Sequence, residues 1–132
     1  MAIAGERTGA LGLGDSSCDH RLMRPGPHSP LRLARPSRDL AAAERFWVDG
    51  LGLDVLWRAE PDDNAGHALL MVGWPQASWH LELVDDPDGA TPPAPSDEDL
   101  LVLYLGGRLD DDLEQRLVGA GGTRVQARNP YW

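Results

Sequence analysis

Residues 31–57, LRLARPSRDLAAAERFWVDGLGLDVLW, change their apolar period twice, and this constrains the fold more than any other feature of the chain. Leu31 and Leu33 alternate with Arg32 and Ala34, the period of a strand. Pro36 and Ser37 are expected to break that strand. Asp39 then stands at or next to a helix N-terminus, where a carboxylate satisfies free N–H groups and complements the helix dipole. Leu40, Ala43, Phe46, Trp47 and Leu51 recur at helical spacing and form one apolar stripe. Gly50 is expected to stop the helix and Gly52 to keep the connection tight. Leu53, Val55 and Trp57 alternate again as a second strand. A helix with one apolar stripe must cover a sheet, and the two strands are expected to supply the edges of that sheet.

The pattern continues with a turn over residues 61–66 and an apolar run over residues 67–74, HALLMVGW, of strand length. After Pro75, Gln76 and Ala77 comes residues 79–84, WHLELV. Trp79, Leu81 and Leu83 face one side of this strand, and His80, Glu82 and Val84 face the other. Residues 31–84 therefore spell a βαβββ unit. Residues 85–99 read as a Pro- and Asp-rich linker, too polar and too broken to pack.

The order then restarts. Residues 100–105, LLVLYL, are expected to form a strand. Gly106 and Gly107 turn the chain. Asp110, Asp111 and Asp112 gather negative charge at a helix start, with Asp111 and Glu114 at capping-box spacing. Leu109, Leu113 and Leu117 make its stripe, Gly119, Gly121 and Gly122 end it, and residues 123–127 suit one more strand. The expected fold class is α+β, a βαβββ module repeated, with a second module lacking its last two strands. Residues 1–30 carry too many Gly and Pro for a regular element and read as a disordered leader. Met23 is a candidate natural start. Residues 31–132 are then one domain, a size sufficient for one core.

Formal net charge is −9, which argues against nucleic acid and against an anionic membrane surface as partners. Between Glu60 and Glu114 Arg108 is the only basic residue apart from histidine, and there is no lysine in the chain. Cys18 is the only cysteine, so neither an intrachain disulfide nor a cysteine-based zinc site can form. It stands with Asp19 and His20, but the leader offers no further ligands nearby. No apolar run reaches membrane-spanning length and no signal peptide is evident, so a cytoplasmic location is expected.

ARPSRDLAAAERFWVDGLGL, WHLELV and the terminal NPYW resemble the vicinal oxygen chelate superfamily of glyoxalases, extradiol dioxygenases and bleomycin-resistance proteins. NPYW is similar to a glyoxalase-like subgroup whose chain continues into a last strand. The resemblance implies a sheet cupped around a small-molecule site, with module strands ordered first, fourth, third, second. It also implies metal positions on the first and fourth strand of each module, where a divalent ion would act as a Lewis acid. Those positions fall on Arg32, which cannot ligate a metal, on Glu82, on Leu100, which has no donor atom, and beyond Trp132. No metal and no cofactor is therefore expected. Arg32 and Glu82 are expected to face each other, the guanidinium replacing the dication, holding a carboxylate or enolate, or simply neutralising Glu82.

His80 shares the face of Glu82. The two could act as metal ligands, as an acid–base pair, or His80 could be a polar lining residue; His67 reads as a surface residue. The catalytic candidates are Glu82 and His80. The ligand-binding candidates are Arg32, Glu82, His80, Tyr131 and Trp132, with Trp57, Trp74 and Trp79 as further aromatics for a flat or apolar ligand. The function so implied is metal-free binding of a small organic molecule, with turnover of lyase or isomerase type left open. The alternatives are a drug-sequestering protein of the bleomycin-resistance type and a truncated, inactive relic. Unpaired strands in the second half imply a homodimer, a re-pairing of those strands in a new order, or a mobile region after Asp99.

Overall fold

The computed structural model describes residues 24–61, 66–85, 92–96 and 99–126. The elements are β1 (Leu31–Ser37), α1 (Leu40–Glu44), a π-helical continuation of α1 (Arg45–Gly50), β2 (Asp54–Ala59), β3 (Ala68–Gly73), β4 (Trp79–Asp85) and α2 (Asp111–Gly119). The strands form one sheet in the order β1-β4-β3-β2. β1 runs parallel to β4, and the other pairs are antiparallel. The fold is mixed α+β, and the expected βαβββ unit is present with β1 and β2 at the sheet edges.

Local chemistry accounts for each element. Asp39 caps α1, its Oδ1 accepting from the Ala42 N–H at 2.8 Å. The helix then widens: Leu51 N–H donates to the Phe46 carbonyl five residues back at 3.0 Å. Gly52, at φ +85°, makes the turn into β2. Gly50 has a different task from a simple stop. It is buried against α2, and a Cβ there would lie 3.0 Å from the Ala120 Cβ.

β1 continues through Pro36 and Ser37, contrary to the break expected there, because both pair with β4. β1 is an edge strand, where a proline's missing N–H need not cost a ladder bond. β2 also departs from strict alternation. Its register against β3 shifts between Val55 and Trp57, leaving Leu56 as an extra residue in a bulge.

Leu53, Leu70, Val72, Leu81 and Leu83 are the buried core, with Leu33, Leu40, Ala43, Trp47, Val48, Leu51 and Trp79 packed on it. The core thus lies between one face of the sheet and the helix. Arg58 of β2 ties this layer from outside through Glu44 at 2.6 Å. Part of the linker does touch the sheet edge: Asp99 approaches Arg35 at 3.7 Å, and Pro93, Ala94 and Pro95 line a cavity against β1.

The second half keeps its helix. Asp110, rather than Asp111, is the cap, its Oδ1 accepting from Asp112 N–H at 3.1 Å. Glu114 pairs instead with Arg124 at 3.0 Å. Gly121 N–H donates to the Val118 carbonyl and Gly122 N–H to that of Leu117, a Schellman closure with Gly121 at φ +99°. Residues 100–105, and residues 123–126 of the strand expected over 123–127, lie in no strand, since no ladder partner meets them among the described residues. The repeat is accordingly not confirmed. The leader up to residue 23, Tyr131 and Trp132 lie outside the described residues. Among the described residues no helix is long and apolar enough to cross a membrane.

Candidate functional site on the open sheet face

Alternation on β4 sends Leu81 and Leu83 toward the helix and leaves His80, Glu82 and Val84 on the opposite, open face. The parallel register sets Arg32 beside His80 and Ala34 beside Glu82. From the edge strand the Arg32 side chain reaches both. Its Nη1 lies 2.8 Å from Glu82 Oε2, and its Nε donates to His80 Nε2 at 3.2 Å. The two charges differ in access: the Arg32 side chain is 54% exposed and that of Glu82 is 12% exposed. Glu82 Oε2 is buried and accepts no well-aligned hydrogen bond, so the 2.8 Å approach is a charge contact rather than a directed bond. Three candidates named from sequence, Arg32, His80 and Glu82, are therefore brought together.

The bulge supplies the rest of the face. Before it, Val55 pairs with Val72 on the helix side; after it, Trp57 pairs with Met71, which pairs with Glu82. Ala34, Glu82, Met71 and Trp57 consequently form one row across the open face. Trp57 is 53% exposed. Leu56 reaches the same neighbourhood, because a Cβ on Gly73 would lie 3.1 Å from Leu56 Cδ1 and 3.2 Å from His80 Cβ.

Trp79 belongs elsewhere. It packs on the core and meets Trp74 edge to face at 5.6 Å. His67 is exposed just before β3, and Leu100 is exposed and apart from any strand. Leu56, Met71 and Gly73 escape a reading of the sequence, although a glycine inside an apolar run does signal a close approach. No group of three His, Cys, Asp or Glu that could hold a metal occurs among the described residues. The donor set beside Glu82 is a guanidinium and an imidazole whose Nε2 is already engaged, which does not fit a divalent ion.

The YycE-like N-terminal domain family matches residues 31–84. The uncharacterised protein YycE of Bacillus subtilis is 33% identical over 103 residues, 77% of this chain and 73% of that protein. The chain belongs to the YycE-like family. A crystal structure of a Bacillus subtilis YycE protein of unknown function, provisionally classed with glyoxalase/fosfomycin resistance proteins, is similar with a TM-score of 0.64 and 30% identity. That match covers 80% of this chain and 76% of the solved one. A glyoxalase/bleomycin resistance protein from Streptomyces sp. CB03234 aligns at 29% identity and a TM-score of 0.46, covering 79% of this chain and 84% of its own. The YycE-like fold thus lies in the vicinal oxygen chelate superfamily that the WHLELV and RDLAAAERFW segments resemble.

Proposed function

We propose that this YycE-like chain binds a small organic molecule on the open face of its sheet without a metal ion, Arg32 supplying the fixed positive charge. The observation that carries this reading is the contact of Arg32 with Glu82 at 2.8 Å, across the two strands where the resemblance puts a metal. A guanidinium stays protonated and donates hydrogen bonds only, so it can steady a ligand oxygen but cannot ligate an ion. Because Arg32 is much more exposed than Glu82, an incoming ligand meets positive charge first. Leu56, Met71 and Trp57 offer apolar surface to its carbon part. A carboxylate or enolate-forming carbonyl compound suits this combination. If the ligand is turned over, proton transfer of lyase or isomerase type with Glu82 as base is the chemistry available.

Sequestration of a cationic antibiotic is the second reading, supported by the net charge of −9. It is the weaker of the two on this face, where Arg32 would repel such a ligand. We also propose that α2 is the helix of a second module, and that a second copy of the chain is the partner.

The test is a thermal-shift screen of the whole chain against simple carboxylates, catechols, thiol adducts and basic antibiotics, with elemental analysis of protein purified without chelator. Carboxylates should raise the melting temperature, R32M should abolish that response, and metal should be far below one ion per chain. Stoichiometric metal would overturn the reading, and stabilisation by basic antibiotics alone would select the second.

A further inference from the structure

We propose that Arg32 locks His80 into its Nδ1–H tautomer, making the imidazole a fixed hydrogen-bond donor to a ligand oxyanion rather than a base. This rests on the metal-free reading above and names the ligand class more narrowly. Arginine Nε carries a hydrogen and has no lone pair to offer, so the 3.2 Å contact runs from Arg32 to His80 Nε2. His80 Nε2 must then be unprotonated. A neutral imidazole with a bare Nε2 holds its hydrogen on Nδ1.

His80 is also crowded at its Cβ from the β3 side. Gly73 leaves room beside the His80 Cβ, and the bulge brings Leu56 into the same space, so that a Cβ at position 73 would lie 3.1 Å from Leu56 Cδ1 and 3.2 Å from His80 Cβ, a tight fit. Nδ1 of His80 meets no acceptor among the described residues. The guanidinium donates from Nε to His80 and lies against Glu82 through Nη1 as a charge contact, leaving Nη2 to donate to a ligand. The groups presented to a ligand by Arg32 and His80 are thus all donors. An anionic oxygen, such as that of a carboxylate or an enolate, is what satisfies them.

Nitrogen-15 labelling of the histidines in the full chain, read by long-range proton–nitrogen correlation, tests the tautomer directly, with H80Q identifying the His80 signals. His80 should show a protonated Nδ1 and an unprotonated Nε2. R32M in an E82Q background removes the guanidinium without stranding a buried charge, and should return His80 to the Nε2–H form favoured by a free imidazole. Titration with pyruvate should move the His80 Nδ1 signal, and H80Q should weaken pyruvate binding about tenfold, as for a hydrogen bond to a charged group. Protonated Nε2 in the unaltered protein, or pyruvate binding that leaves His80 unmoved, would overturn the proposal. These outcomes are read in metal-free protein, so they are distinct from the finding of stoichiometric metal that would overturn the reading on which it rests.

Discussion

Gly122 and Gly119 show how differently one added methyl group can act within the same helix end. At Gly122 a Cβ would lie 2.7 Å from the Leu117 carbonyl oxygen and 2.9 Å from Phe46 Cε2, both in the contact between α2 and the π-helical turn. At Gly119 it would meet nothing within 4 Å. G122A is therefore expected to cost about 1–3 kcal/mol by overpacking, whereas G119A should gain roughly 0.4–1 kcal/mol by restricting the unfolded chain. Denaturant melts of the two variants check both signs. Asp99 offers a titration at the same scale. Its carboxyl is held below the ordinary aspartate range, first by the Ser96 backbone N–H and then by the Ser96 side chain, with Arg35 adding a lesser charge effect. A lowered folded value means that the contribution is present above the unfolded value of about 3.9 and is lost as pH falls through the folded one. Carbonyl-carbon NMR should show Asp99 protonating at lower pH than an unperturbed aspartate, and S96G should move it only part of the way back, because the backbone N–H remains.

Each helix depends on an aspartate whose local role was differently legible. Asp39 lies alone before the stripe of α1 and is read correctly as its cap. At α2 three consecutive aspartates are equivalent by charge, and only the backbone at Asp110, extended at ψ 131°, selects it as the cap. D39A and D110A should each lower stability by about 1 kcal/mol, while D111A should change it far less, as thermal melts of the three would show. The strands divide in the same way. Polar contrast in WHLELV announces its two faces, and the register of β1 follows from pairing beside it. β2 lacks that contrast, so the bulge at Leu56, which sends Trp57 to the open face, has no signature in the residues themselves.

For the molecule as a whole, residues 100–105 are the unresolved balance between burial and pairing. Leu100, Leu101, Val102, Tyr104 and Leu105 are all exposed, Tyr104 by 87%, in a segment assigned to no sheet. Exposed apolar chain of this kind seeks a partner strand or surface. Light scattering after size exclusion should find dimers at micromolar concentration, and L101E combined with L105E should return the protein to monomers. A monomeric unaltered chain with the same segment freely exchanging its amides would count against that assembly. What the amino-acid order determined by itself was the local grammar: the α1 cap, the helical stripe, the two-faced β4, and hence a βαβββ unit with β1 and β2 at its edges. These follow from periodicity and turn chemistry within a few residues. Tertiary structure alone decided the rest. Whether LLVLYL is a strand depends on a hydrogen-bond partner from elsewhere in the chain, and which face Trp57 joins depends on a register shift against β3. That Arg32 faces Glu82 is implied by the resemblance, and the structure adds the contact of Arg32 with His80, because a site is made by pairing across the sheet and not by neighbours along the chain.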